Sequence, residues 1–103
     1  MIRELTTDTF NLPDTRVTVV DFWATWCHPC KILLPVLEEV VDEMSTEVDF
    51  YKINAEDEPD LAKRFGVVSL PTIIIFSGGK AVKWLTGTQT KAALIQAIKD
   101  AAS

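Results

Sequence analysis

The sequence predicts an α/β fold in which a central five-stranded mixed sheet is flanked by four helices, and three observations carry it. Arg16 to Trp23 and Thr72 to Phe76 are almost continuously β-branched, aromatic or aliphatic, as strands covered on both faces are. Between Cys27 and about Met44 the apolar residues Leu33, Val36, Leu37, Val40, Val41 and Met44 recur at helical spacing, with Glu38, Glu39, Asp42 and Glu43 on the opposite face. The turn Ser77-Gly78-Gly79-Lys80 joins two strand-like runs and is short enough to connect only antiparallel neighbours.

Taken in order, Ile2 to Leu5 reads as a short strand, followed by a short helix from near Thr7 that Pro13 and Asp14 break. Arg16 to Trp23 is the second strand, and the long amphipathic helix follows. Pro35 lies inside that helix, where its missing N–H and its ring should bend it about one turn beyond Cys30. Val48 to Ile53 is a third strand, Pro59 to Phe65 a short helix stopped at Gly66, and Thr72 to Phe76 and Ala81 to Thr86 form the hairpin. Thr90 caps a last helix that turns Leu94 and Ile98 inward. The order β-α-β-α-β-α-β-β-α places helices on both faces of the sheet.

A chain of 103 residues with 48% apolar side chains can bury about two thirds of its unfolded surface, so one domain over residues 1–103 needs no staples. Two cysteines exclude a disulfide-dense miniprotein. The net charge of -5 repels phosphate backbones and anionic lipid, which excludes bulk electrostatic binding of nucleic acid or membrane. Apolar runs such as Ile73 to Phe76 fall far short of the roughly 20 residues a bilayer requires. The opening MIRELTTDTF lacks the apolar core of a secretory signal, so the cytoplasm is the expected compartment. Charge is segregated: residues 38–60 hold ten acids and one base, Lys52, while residues 61–99 hold six bases and no acid. Solvated faces account for this most simply, with an electrostatic docking surface as the alternative.

Cys27 and Cys30 carry the functional question, because in a reducing compartment a C-x-x-C pair points to metal or redox chemistry before it points to a structural bridge. A structural zinc site wants four Cys or His ligands, and the chain offers Cys27, His28 and Cys30. A four-residue loop gives a staple little entropic leverage, on the order of 2 kcal/mol. Redox chemistry is the stronger reading. Cys27 would end a strand-to-helix loop and meet the first unpaired N–H groups of the helix, which favour a thiolate. Pro29 suits the first turn because it has no N–H to leave unpaired. Cys30, one turn in, would be the more buried and more protonated sulfur, dividing the pair into attacker and resolver.

Trp26-Cys27-His28-Pro29-Cys30-Lys31, preceded by Asp21-Phe22-Trp23-Ala24, resembles the active-site segment of the thioredoxin family. Along the whole chain Pro35 resembles the family's kink proline, Lys52 in YKINAE its buried lysine, and Leu70-Pro71-Thr72 its cis-proline loop. Gly79 resembles its hairpin turn and Gly87 its loop glycine beside the active site. The resemblance implies a thioredoxin fold and a protein-disulfide reductase. Cys27 would attack a client disulfide as nucleophile, and Cys30 would resolve the mixed disulfide. No bound cofactor is implied, only the redox-active disulfide itself, with electrons from NADPH through a thioredoxin reductase. Clients of the ribonucleotide reductase, peroxiredoxin and methionine sulfoxide reductase types are implied, and the chain is expected to act as a monomer.

Asp21, between Val20 and Phe22 in a buried strand, is costly unless it has a task or a partner, the alternative being an exposed strand end. The resemblance implies a buried acid behind the cysteines, with a raised pKa suited to deprotonating Cys30 and with Lys52 tuning it. The alternative for Lys52 is a snorkelling surface lysine. A cis bond before Pro71 is likewise implied, leaving the backbone of Leu70 to pair with an extended substrate. Trp26, Pro29, Leu70 and Gly87 would form an apolar collar around Cys27, although each also suits plain core or loop. Thr86 stands where the family is usually apolar, and Trp84 reads as packing with no role.

The departure from the family pattern is His28, giving CHPC in place of CGPC. A cationic His28 would stabilise the thiolate and make the protein more oxidising, yet the same helix N-terminus disfavours a cation, so a modest shift is expected. Otherwise His28 is an exposed histidine of little consequence. The rival functions are a disulfide oxidase or isomerase, a metal-binding module using Cys27, His28 and Cys30, and a noncatalytic binding partner of the same fold.

Overall fold

The computed structural model describes residues 2–14 and 16–103; Met1, on which the reading of the N-terminus partly rests, lies outside them. Among the described residues, five strands and three helices run in the order β1 (Arg3–Glu4), β2 (Val17–Trp23), α1 (His28–Met44), β3 (Val48–Asn54), α2 (Pro59–Arg64), β4 (Thr72–Ser77), β5 (Lys80–Thr86) and α3 (Lys91–Ala102). The strands form one mixed sheet in the order β1-β3-β2-β4-β5, parallel from β1 to β2 and antiparallel through β4 and β5.

Alternation along the central strands sorts the core into two layers. Val19, Phe50, Ile73 and Ile75 face α1 and α3, meeting Leu33, Leu37, Val40, Leu94 and Ile98. Val20, Phe22, Ile53, Ile74 and Phe76 face the other way, against Leu61 of α2 and the partly buried Phe10 and Phe65. β2 and β4 are buried through most of their length, which is why both read as unbroken apolar runs. Pro35 stands inside α1. α3 begins as expected, with the Thr90 hydroxyl accepting the Ala93 N–H at 3.0 Å and Leu94 and Ile98 buried.

The expectation of four helices is corrected to three. Near Thr7 the chain makes a single turn, closed by the Thr9 N–H on the Thr6 carbonyl (3.1 Å) and the Thr6 N–H on the Thr9 hydroxyl (2.9 Å). The Thr7 N–H is taken by the Glu58 carboxylate at 2.7 Å, a partner outside the segment. Phe10 and Leu12 then pack toward the α2 layer. With the Thr6 and Thr7 N–H groups committed to side chains and Pro13 close behind, the segment has no second turn in which to propagate a helix.

Candidate active site

Two elements, β2 and α1, meet at the cysteine pair. β2 ends at Trp23, and after Ala24 and Thr25 the chain turns into α1 with Cys27 as its N-cap, in extended conformation (φ -88°, ψ 104°). The Cys27 N–H reaches the Ala24 carbonyl at 3.2 Å, and Cys27 Sγ accepts the Cys30 N–H at 3.2 Å. A sulfur therefore fills the place where an N-cap oxygen ordinarily satisfies an orphan amide. Pro29 occupies the first turn, which carries no acidic residue, so the positive end of the helix acts on Cys27 unopposed from within that turn. Cys27 and Cys30 are joined as a disulfide, with Cα atoms 5.3 Å apart.

In the oxidised state the two cysteines, taken as whole residues, are equally buried, where Cys30 is expected to be the more buried. Both cysteines are 4% exposed, packed with Ala24 and covered by the partly buried Trp23 and Leu70.

Asp21 lies on the α1 side of β2, two residues along from Val19, and is 2% exposed. Burial pushes its carboxyl up from the ordinary 3.8 to about 7, the larger influence, while the Lys52 ammonium pulls the other way. Its Oδ1 has no hydrogen-bond partner among the described residues. Lys52 is the register neighbour of Asp21 on the parallel strand β3 and is half-buried, its Nζ 5.2 Å from the centroid of the Trp23 ring. A cavity of about 200 Å³ is lined by Asp21, Lys52, Cys30, Trp23, Ala24, Thr25, Lys31 and Leu34. The buried acid and the second cysteine thus share one space.

The remaining expected residues fall around this centre. Leu70 packs on the disulfide, and the bond between Leu70 and the buried Pro71 is cis. Gly87, at φ +81°, donates its N–H to the Pro71 carbonyl at 2.9 Å, a left-handed conformation that a side chain would strain. Trp26 is 68% exposed immediately before Cys27, and His28 and Pro29 are exposed on the first turn. Of the proposed collar, Leu70 packs with the disulfide cluster. No group of three or more His, Cys, Asp or Glu side chains suited to a metal ion occurs among the described residues.

Two contacts escaped the sequence reading. Trp23 serves as the aromatic partner of Lys52, which an alternating strand pattern cannot reveal. Trp84, read as packing, is half exposed and donates its indole N–H to the Phe65 carbonyl at 3.0 Å. The signal available for it was a tryptophan on the outward phase of a hairpin strand.

Comparison with known proteins agrees with this geometry. The thioredoxin family model matches residues 2–100. The thioredoxin of Mycobacterium bovis is 44% identical over 89 residues, covering 86% of this chain and 77% of that protein. The thioredoxin of Mycolicibacterium smegmatis is 42% identical over 102 residues, covering 94% and 91%. A bifunctional thioredoxin reductase/thioredoxin of Mycobacterium leprae is 44% identical over 89 residues, and the matched region spans 19% of its length. Among solved structures, the thioredoxin of Malassezia sympodialis superposes with a TM-score of 0.87 at 30% identity, covering 100% of this chain and 92% of that one.

Proposed function

Because the chain belongs to the thioredoxin family, it is a thiol-disulfide oxidoreductase that reduces protein disulfides, and we propose how its residues divide the work. The observation that carries the assignment is Cys27 Sγ at the N-cap of α1, 3.2 Å from the Cys30 amide. That amide and the helix N-terminus are donors already aimed at a sulfur anion, so they stabilise the Cys27 thiolate when the bond is open. Cys27 then attacks one sulfur of a client disulfide. A mixed disulfide forms, and the other client sulfur leaves as a thiolate that takes up a proton.

Cys30 attacks Cys27 Sγ next, releasing the second client thiol and closing the bond present in this structure. Two electrons pass to the client, and the protein's dithiol becomes its disulfide. Asp21, which shares a cavity with Cys30, accepts the Cys30 proton directly or through water, and a carboxyl near 7 can both hold and release a proton at neutral pH. Lys52 keeps that carboxyl from rising further. Trp26, Leu70, Pro71, Pro29 and Gly87 provide the docking face, and His28 adjusts the potential.

The oxidised protein is regenerated by a thioredoxin reductase drawing on NADPH; the Mycobacterium leprae relative, whose name joins both activities, supports that partnership. Ribonucleotide reductase, peroxiredoxin and methionine sulfoxide reductase types are the proposed clients, and the cytoplasm the proposed location. No helix among the described residues is long and apolar enough to cross a membrane. Cys30→Ser tests the scheme: mixed disulfides through Cys27 should accumulate with a protein client, and their absence while Cys27 remains reactive would refute it.

A further inference from the structure

We infer that Trp84 is a positioning residue for client reduction, holding the segment Gly66–Pro71 in the shape that presents it to a protein client. The inference rests on the reductase reading above and extends it to a residue outside the docking face.

One end of the segment is set at the C-terminus of α2. There the Gly66 N–H returns to the Lys63 carbonyl at 3.1 Å and the Val67 N–H to the Ala62 carbonyl at 2.8 Å, with Gly66 at φ +70°. This is the paired closure that ends a helix on a left-handed glycine. It uses the carbonyls of Ala62 and Lys63 and does not engage that of Phe65, the C-cap residue. Trp84 of β5 supplies the donor for it at 3.0 Å.

The far end of the segment is tied to the same strand region, because Gly87, just past β5, donates to the Pro71 carbonyl at 2.9 Å. The Thr72 hydroxyl adds an internal tie to the Ser69 carbonyl at 2.6 Å. Between the two moorings lie Val68, 95% exposed, and Leu70, which rests on the disulfide. An extended client that pairs with this backbone gains most when the backbone is already held in place. Trp84 is half exposed and faces no reacting atom, so its contribution goes through the loop it anchors.

The test compares Trp84→Phe, which keeps a ring and removes the donor, with Trp84→Arg, which returns a long donor to the same position. Each is assayed with insulin as a protein disulfide and hydroxyethyl disulfide as a small one, under a fixed concentration of dithiothreitol. Loss of one neutral hydrogen bond predicts a KM for insulin about fivefold higher in Trp84→Phe, with kcat and the small-disulfide rate within about twofold of wild type and KM restored in Trp84→Arg. Amide exchange gives a second readout: Gly66 to Leu70 should exchange about fivefold faster in Trp84→Phe while β2 and β4 keep their rates. An unchanged KM, or equal slowing of both substrates, would overturn the positioning role and leave the reductase reading intact. A wild type that reduces neither substrate would overturn both.

Discussion

Replacing Asp21 by asparagine should stabilise the oxidised protein by an amount that grows with pH. The carboxyl is 2% exposed, and burial raises it from 3.8 to about 7. The folded state therefore holds this proton more tightly than the unfolded chain does. Wild-type stability falls as pH rises from about 4 to about 7, and it levels off once both states are ionised. At about 1.4 kcal/mol for each tenfold change in affinity, ionising Asp21 in place costs on the order of 4 kcal/mol above pH 8 and less than half of that at pH 5. Asparagine keeps the shape and cannot ionise. Any packing or hydrogen-bonding difference it introduces is a constant offset, whereas the pH-dependent part belongs to the charge. Guanidinium unfolding of oxidised wild type and Asp21→Asn, from pH 4 to pH 9, measures the gap, with a melting difference on the order of 20 °C expected at pH 8. A gap that stays flat across that range, or narrows as pH rises, would refute the reasoning.

The same carboxyl should be visible in turnover: release of client from the mixed disulfide should speed up with pH through about 7 in the wild type, and stopped-flow traces of Asp21→Asn should lack that limb. Lys52→Met removes the cation that lowers Asp21, so the limb should move to higher pH; a shift downward would contradict the tuning role. His28→Gly should lower the reduction potential by on the order of 20 mV when equilibrated against glutathione, and an equal or higher value would count against the influence of His28. Thr90→Ala removes the α3 cap and should cost about 1 kcal/mol in denaturant unfolding without changing client reduction.

The parts of the molecule legible in its sequence are those governed by local pattern. β2 and β4 announce themselves because both faces are covered and polar alternation disappears, and the Ser77–Lys80 turn fixes their relation to β5. Asp21 is legible as a misplaced charge, and the cysteine pair as a spacing. What was not legible depends on distant partners or on chemical state. The turn at Thr6–Thr9 stays a turn because Glu58, far along the chain, takes the Thr7 amide. The equal burial of Cys27 and Cys30 belongs to the closed disulfide, which no residue pattern specifies. Lys52 over Trp23, and Trp84 on the Phe65 carbonyl, arise only when β2 meets β3 and α2 meets β5.

The sheet order has a consequence for self-association. Its two outer strands are β1, of only two residues, and β5, which carries Lys80 and Lys83. A two-residue ladder gives a passing chain little to extend, and charged side chains along β5 repel a second copy of the same edge. Both margins are thus poor templates for strand-by-strand stacking into fibrils. The sheet is thus closed to its own kind along both edges, whatever chains the protein meets elsewhere on its surface.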